Sequence, residues 1–159
     1  MRVVERKKDV RLGTVLVDQG VVARDAMLRE VAAQYASRVL TTFAWPVIVP
    51  QVRFEPIPTD DARIAQTREA LFLDGLRTKY DAMRLKALVP LDAVYEFTKD
   101  AAVRLSAFGF TAPEANVIAS IDGTRNVSEV VVRTGHPLEA LRALYGAYCL
   151  DLIRPRGQA

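Results

Sequence analysis

The chain has 159 residues, half of them hydrophobic, and a formal net charge of +3. That length fits one domain or two small ones, and that composition supports a packed core and excludes a disordered chain. A single cysteine, Cys149, excludes an internal disulfide and a cysteine-rich metal site, and no apolar run approaches the roughly 20 residues of a membrane-spanning helix.

The first residues, "MRVVERKKDV", are charged and lack the apolar stretch of a secretory signal. Residues 1–11 hold Arg2, Arg6, Lys7, Lys8 and Arg11 against Glu5 and Asp9, so the whole net charge resides there. The basic start reads as a solvated linker or strand end, or as a contact for an acidic partner. "RLGTVLVDQGVV" places Leu12, Val15 and Leu16 at helical spacing before Gly20, predicting a short helix over Arg11–Gln19. Met27, Leu28, Val31, Tyr35, Val39, Leu40 and Phe43 then step by threes and fours, predicting a long helix from Arg24 to about Ala44. Trp45 reads as a residue of the core or of packing between subdomains.

"PVIVPQVRFEPIP" changes period to that of short or edge strands, punctuated by four prolines. Thr59-Asp60-Asp61 offers N-cap chemistry, which explains the acidic pair better than metal binding does, for a helix over Asp61–Tyr80. Gly75 inside that helix costs about 1 kcal/mol against alanine and signals close packing. A mixed helical stretch follows to Pro90, then a strand over Ala93–Phe97 and a short helix ending at Gly109. The final block predicts a helix capped by Thr111 and closed by Gly123. A second helix runs from cap Asn126 to stop Gly135, and a third carries Leu138, Leu141, Tyr145, Tyr148 and Leu152 on one stripe. "LIRP" completes it as a strand. The fold class expected is α+β: mainly helical, with small strands and a winged-helix-like C-terminal subdomain. Its two subdomains would divide at 1–90 and 91–159.

Chemistry is sparse in this pattern. His136, the one histidine, precedes Pro137 and reads as a turn residue, with no marked nucleophile or orienting group. Cys149, at the far end of its helix, reads as a packed core thiol. No glycine-rich phosphate loop occurs. No catalytic residue, metal or cofactor is therefore assigned. The helix–turn–helix of "NVSEVVVRTGHPLEALRALYGAYCLDLI" raises DNA binding as an alternative, that of a winged-helix transcription regulator. However, Thr111–Ala159 holds five arginines against five acids, and only Arg142 lies on the presumed reading helix. A neutral block with one helix arginine lacks the electrostatic footprint of a DNA reader.

"RLGTVLVDQGVVARDAMLREVAAQ", "LTTFAWPVIVPQVRFEP" and "EALFLDGLRTKYD", with the terminal helix–turn–helix block, together resemble the PATAN domain family of bacterial signalling proteins. The resemblance covers roughly residues 11–155 and rests on packing residues: an "LGxxLVxxGxI" helix, a long helix ending in a Phe/Trp signature, a strand, and the helix after it. The opening segment is also similar to the N-terminal domain of type II secretion and pilus assembly ATPases. Two departures stand out. Ala23 replaces the usual Thr or Ser cap, and only ten residues stand where the family has a β-rich portion, as in a fragment of a longer protein. The resemblance implies a non-catalytic, cytoplasmic protein–protein adaptor in bacterial signalling, polarity or motility, with no membrane insertion. Its partner would be a signalling or pilus component, and a homodimer is compatible with it. Arg6, Lys7, Lys8 and Arg11, and Arg142 on the exposed side of the last two helices, are the candidate partner-binding residues.

Overall fold

A computed structural model describes residues 12–46 and 64–157. The basic start with Arg6, Lys7, Lys8 and Arg11, the strand pair expected in 47–55, and the Thr59-Asp60-Asp61 cap all lie outside the described residues. The fold is mainly helical α+β. In chain order it comprises α1 (Leu12–Asp18), α2 (Arg24–Thr42), α3 (Arg68–Lys79), α4 (Ala82–Leu88), β1 (Tyr95–Phe97), α5 (Ala101–Leu105), α6 (Ala112–Ala119), α7 (Val127–Thr134), α8 (Pro137–Cys149) and β2 (Ile153–Pro155).

Two compact units are present. α1 and α2 through Arg38 fall in the first, while Val39 onward and the chain from Gln66 fall in the second. The subdomain boundary expected near residue 90 lies inside the second unit, where Leu85 and Val89 share one core with Val117, Leu144 and Ile153. In the first unit α1 ends in a left-handed Gly20 (φ 69°). Gly20 N–H donates to Val17 O and Val21 N–H to Leu16 O, satisfying carbonyls that the helix end leaves open. Gly13 lies against the Met27 side chain, where an added Cβ would come within 3.1 Å of its sulfur.

In the second unit α3 begins at Arg68, later than the expected Asp61, because Thr67 is the cap: its hydroxyl accepts from Ala70 N–H at 3.1 Å. Asp81 does the same for α4. α6 and α7 each open with a reciprocal capping box, Thr111 with Glu114 and Asn126 with Glu129. α6 ends at Ala119, so Gly123 belongs to the following loop and does not close the helix. Gly135 (φ 70°) stops α7 as expected, and α8 starts at once behind it. β1 and β2 pair antiparallel with Glu96 opposite Arg154. Pro155 is tolerated because its position faces away from the ladder.

α8 is the hub of this unit. It packs against α3, α4, α6, α7 and β2. Ala140, Leu141, Ala143, Leu144, Gly146 and Ala147 are all buried, so small residues alternate with leucines on several sides of one helix. Gly146 permits the close approach of α3: a Cβ there would lie 2.8 Å from Leu73 and 3.4 Å from Leu76. The single stripe expected on this helix is therefore too narrow, and one member, Tyr148, is exposed.

Candidate interaction surface

Exposed residues of α8 are confined to its ends, Pro137 and Glu139 at one and Tyr148 and Cys149 at the other. The reading helix of a DNA-binding winged helix must present a polar flank to the major groove. Here the central turns are covered by α3 and α4 on one side and α6 and α7 on another. Arg142, expected on an exposed face, is half-buried and serves the fold. Its guanidinium donates to the Tyr80 carbonyl from Nη2 (2.9 Å) and Nε (3.3 Å), holding the end of α3 to α8.

Several other arginines of the unit are similarly engaged. Arg77 donates through Nε to Glu114 Oε1 at 2.9 Å, through Nη1 to Asp74 at 2.8 Å, and through Nη2 to Gly109 O. Glu114 is only 6 % exposed, the one buried charged residue among those described. Burial by itself pushes its carboxyl up, but the bonds from Arg77 and from Thr111 N–H outweigh that and hold it below the usual range. Arg84 lies 3.8 Å over the Tyr80 ring and donates to the Phe43 and Trp45 carbonyls. It thereby clasps the end of α2, whose Phe43 ring fills the notch at Gly75. Trp45, expected in a core or in packing between subdomains, is itself 50 % exposed. Arg125 pairs with Asp122, Arg154 with Glu96 at 2.9 Å, and Arg104 donates to the Leu150 and Asp151 carbonyls at the end of α8.

Several large apolar side chains nevertheless remain exposed. Met83 (82 % exposed) and Leu88 stand on α4, Leu91 on the turn after it, and Val132 (79 %) on α7. Leu91 ties these elements together, its carbonyl accepting from Ser128 N–H at 2.9 Å. Ser128 and Val132 are one turn apart on the same face of α7. Lys86 and Glu129 flank these residues, so the local charge is mixed. Single exposed apolar side chains are ordinary, and of these four the bond to Ser128 sets Leu91 beside the start of α7.

His136 caps α8 without a side-chain cap bond and is exposed, as expected of a turn residue. Cys149, expected in the core, is exposed at the last residue of α8. Its thiol is still partly desolvated, which pushes its pKa up despite a hydrogen bond with Tyr145. Among the described residues no three His, Cys, Asp or Glu side chains converge on a metal-sized site, and no helix is long and apolar enough to cross a membrane. The exposed apolar residues on α4 and α7 escaped sequence reading. Met83 and Val132 fall in helical patterns whose inward and outward faces only the tertiary packing separates.

Searches against protein-family models, curated proteins and solved structures found no match to this chain.

Proposed function

We propose that this chain is a non-catalytic protein–protein adaptor of the PATAN type, acting in the cytoplasm in bacterial signalling, polarity or motility. The observation that carries this reading is the burial of α8. The helix that would enter DNA is the core of its unit, and its one arginine is spent on Tyr80. The exposed apolar residues Met83, Leu88, Leu91 and Val132 supply the kind of surface on which a protein partner gains affinity. Phosphate binding draws on free Lys and Arg, and several arginines of this unit, Arg77, Arg84, Arg104, Arg125, Arg142 and Arg154 among them, are tied to carboxylates or carbonyls.

The test is co-purification with the tagged full chain, compared with a Met83→Asp, Leu91→Asp, Val132→Asp triple variant. Substitutions at such exposed positions leave stability within about 0.5 kcal/mol each. A specific partner held by the parent chain and lost from the variant, with unchanged thermal melting, is the expected result. Equal retention by both chains removes this surface as the interface. Retardation of duplex DNA at low salt that fades as salt rises would favour the winged-helix regulator instead.

A further inference from the structure

The end of α2 meets α3 and α4 through an aromatic ring and two carbonyls. The Phe43 ring enters the notch at Gly75, where an added Cβ would lie 2.6 Å from two of its carbons. The ring leans on Phe72, with centroids 5.8 Å apart, and meets Tyr80 edge-on at 6.4 Å. Arg84 donates to the Phe43 and Trp45 carbonyls and lies 3.8 Å over the Tyr80 ring. Tyr80 in turn stacks on Tyr145 of α8 at 5.9 Å. The fit is specific: a glycine inside a helix weakens it, and Gly75 makes the room that the ring needs.

This attachment stands outside the core of the unit. Leu85, Val117, Leu141, Leu144 and Ile153 share that core, and Tyr80 and Tyr145 pack against it, but Phe43 does not belong to it. Every residue of 39–45 is half-buried or exposed. Beyond Thr42 the helix has already tightened: Phe43, Ala44 and Trp45 N–H donate three residues back, to Leu40, Thr41 and Thr42, at 3.1–3.3 Å. Helix ends with few buried contacts open locally at a fraction of the free energy of global unfolding. Upstream, α2 through Arg38 groups with the first unit, so its end can leave α3 without drawing on the core around α8.

We propose that the end of α2 is a releasable plug: Phe43 leaves the notch while the core around α8 stays folded, uncovering an aromatic groove of Phe72, Gly75 and Tyr80. Arg84 sets how often the plug opens, because its charged donors hold two main-chain carbonyls at the helix end. The docked and released states differ in what α3 presents. In one the notch is filled by a ring of the same chain; in the other Phe72 and Tyr80 stand uncovered beside a glycine. The device needs no particular partner, so it stands or falls apart from the adaptor reading.

The test is nuclear magnetic relaxation dispersion on the isotopically labelled full chain, read at the Gly75 and Leu76 amides and at the Trp45 indole N–H. Two-state exchange at these three places is expected, with a released population of about 1–10 %. The Gly75 shift of the minor state should match that of Phe43→Ala, which has no ring to seat. Arg84→Ala removes the bonds to the carbonyls and should raise the ratio of released to docked chain about tenfold. The Leu141, Leu144 and Ile153 amides should stay free of exchange in both chains. No exchange in the parent at Gly75, Leu76 and Trp45 overturns the proposal, and that measurement decides even where a variant fails to fold. Exchange shared at the same rate by the α8 amides, a minor-state Gly75 shift unlike that of Phe43→Ala, or an Arg84→Ala population equal to the parent's overturns it as well.

Discussion

Removing the carboxylate of Glu114 tests how the second unit is held together. Glu114 joins two tasks: its Oε2 accepts from Thr111 N–H at 2.8 Å to complete the α6 capping box, and both its oxygens accept from Arg77 on α3. Breaking a fully buried ion pair costs about 3–5 kcal/mol, because the remaining charge is stranded. Arg77 is a quarter exposed and keeps its bonds to Asp74 and Gly109 O, so only part of that penalty applies. The lost cap bond adds up to about 1 kcal/mol. Glu114→Ala is therefore expected to destabilise the unit by about 2–3 kcal/mol, or roughly 10–20 °C in Tm for a unit of about 100 residues. Glu114→Gln can still close the capping box and accept from Arg77, and should cost about 1 kcal/mol. The pH dependence has a definite sign. The folded carboxyl lies below its unfolded value of 4.5, so its stabilisation is complete above about pH 4.5 and fades as pH falls through the lower folded value. Thermal melting followed by circular dichroism between pH 3 and pH 7 measures all three effects. Equal melting of the alanine and glutamine variants, or an acid-side decline as steep in Glu114→Gln as in the parent, would refute the assignment.

Asp122 organises its loop through bonds from Thr124 and Arg125, with a folded pKa of about 2, so Asp122→Ala should shallow the acid-side decline between pH 4 and pH 2. Gly75→Ala should cost about 1–3 kcal/mol, since the new Cβ would sit 2.6 Å from the Phe43 ring. The displaced ring should also alter the fluorescence of neighbouring Trp45. Unchanged emission and melting would mean that Phe43 does not fill the notch. Cys149 should react with iodoacetamide at neutral pH more slowly than a free thiol, because desolvation disfavours its thiolate. A rate above that of free cysteine would contradict this environment.

Local chemistry made much of this chain legible from residue order. Thr111-Pro113-Glu114 announce the start of α6, and Asn126 and Gly135 both ends of α7, because caps and left-handed stops act within a few residues and need no distant partner. Gly20 announces the end of α1 for the same reason. The late start of α3 was hidden because Thr59-Asp60-Asp61 and Thr67 offer the same capping chemistry, and only Thr67 meets a helix among the described residues. The roles of side chains depended on elements far apart in sequence. Arg142 meets the Tyr80 carbonyl 62 residues away, and Arg77 meets Glu114 37 residues away. Periodicity identifies α8 as a helix, but its burial on several sides follows from α3 closing over Gly146 and from α4, α6 and α7 packing on the same helix, a matter of packing geometry. The starts of α6 and α7 and the stops at Gly20 and Gly135 were thus determined by sequence alone, since they arise from nearest-neighbour backbone chemistry. Which face is core and which arginine is free were decided only when the elements packed together.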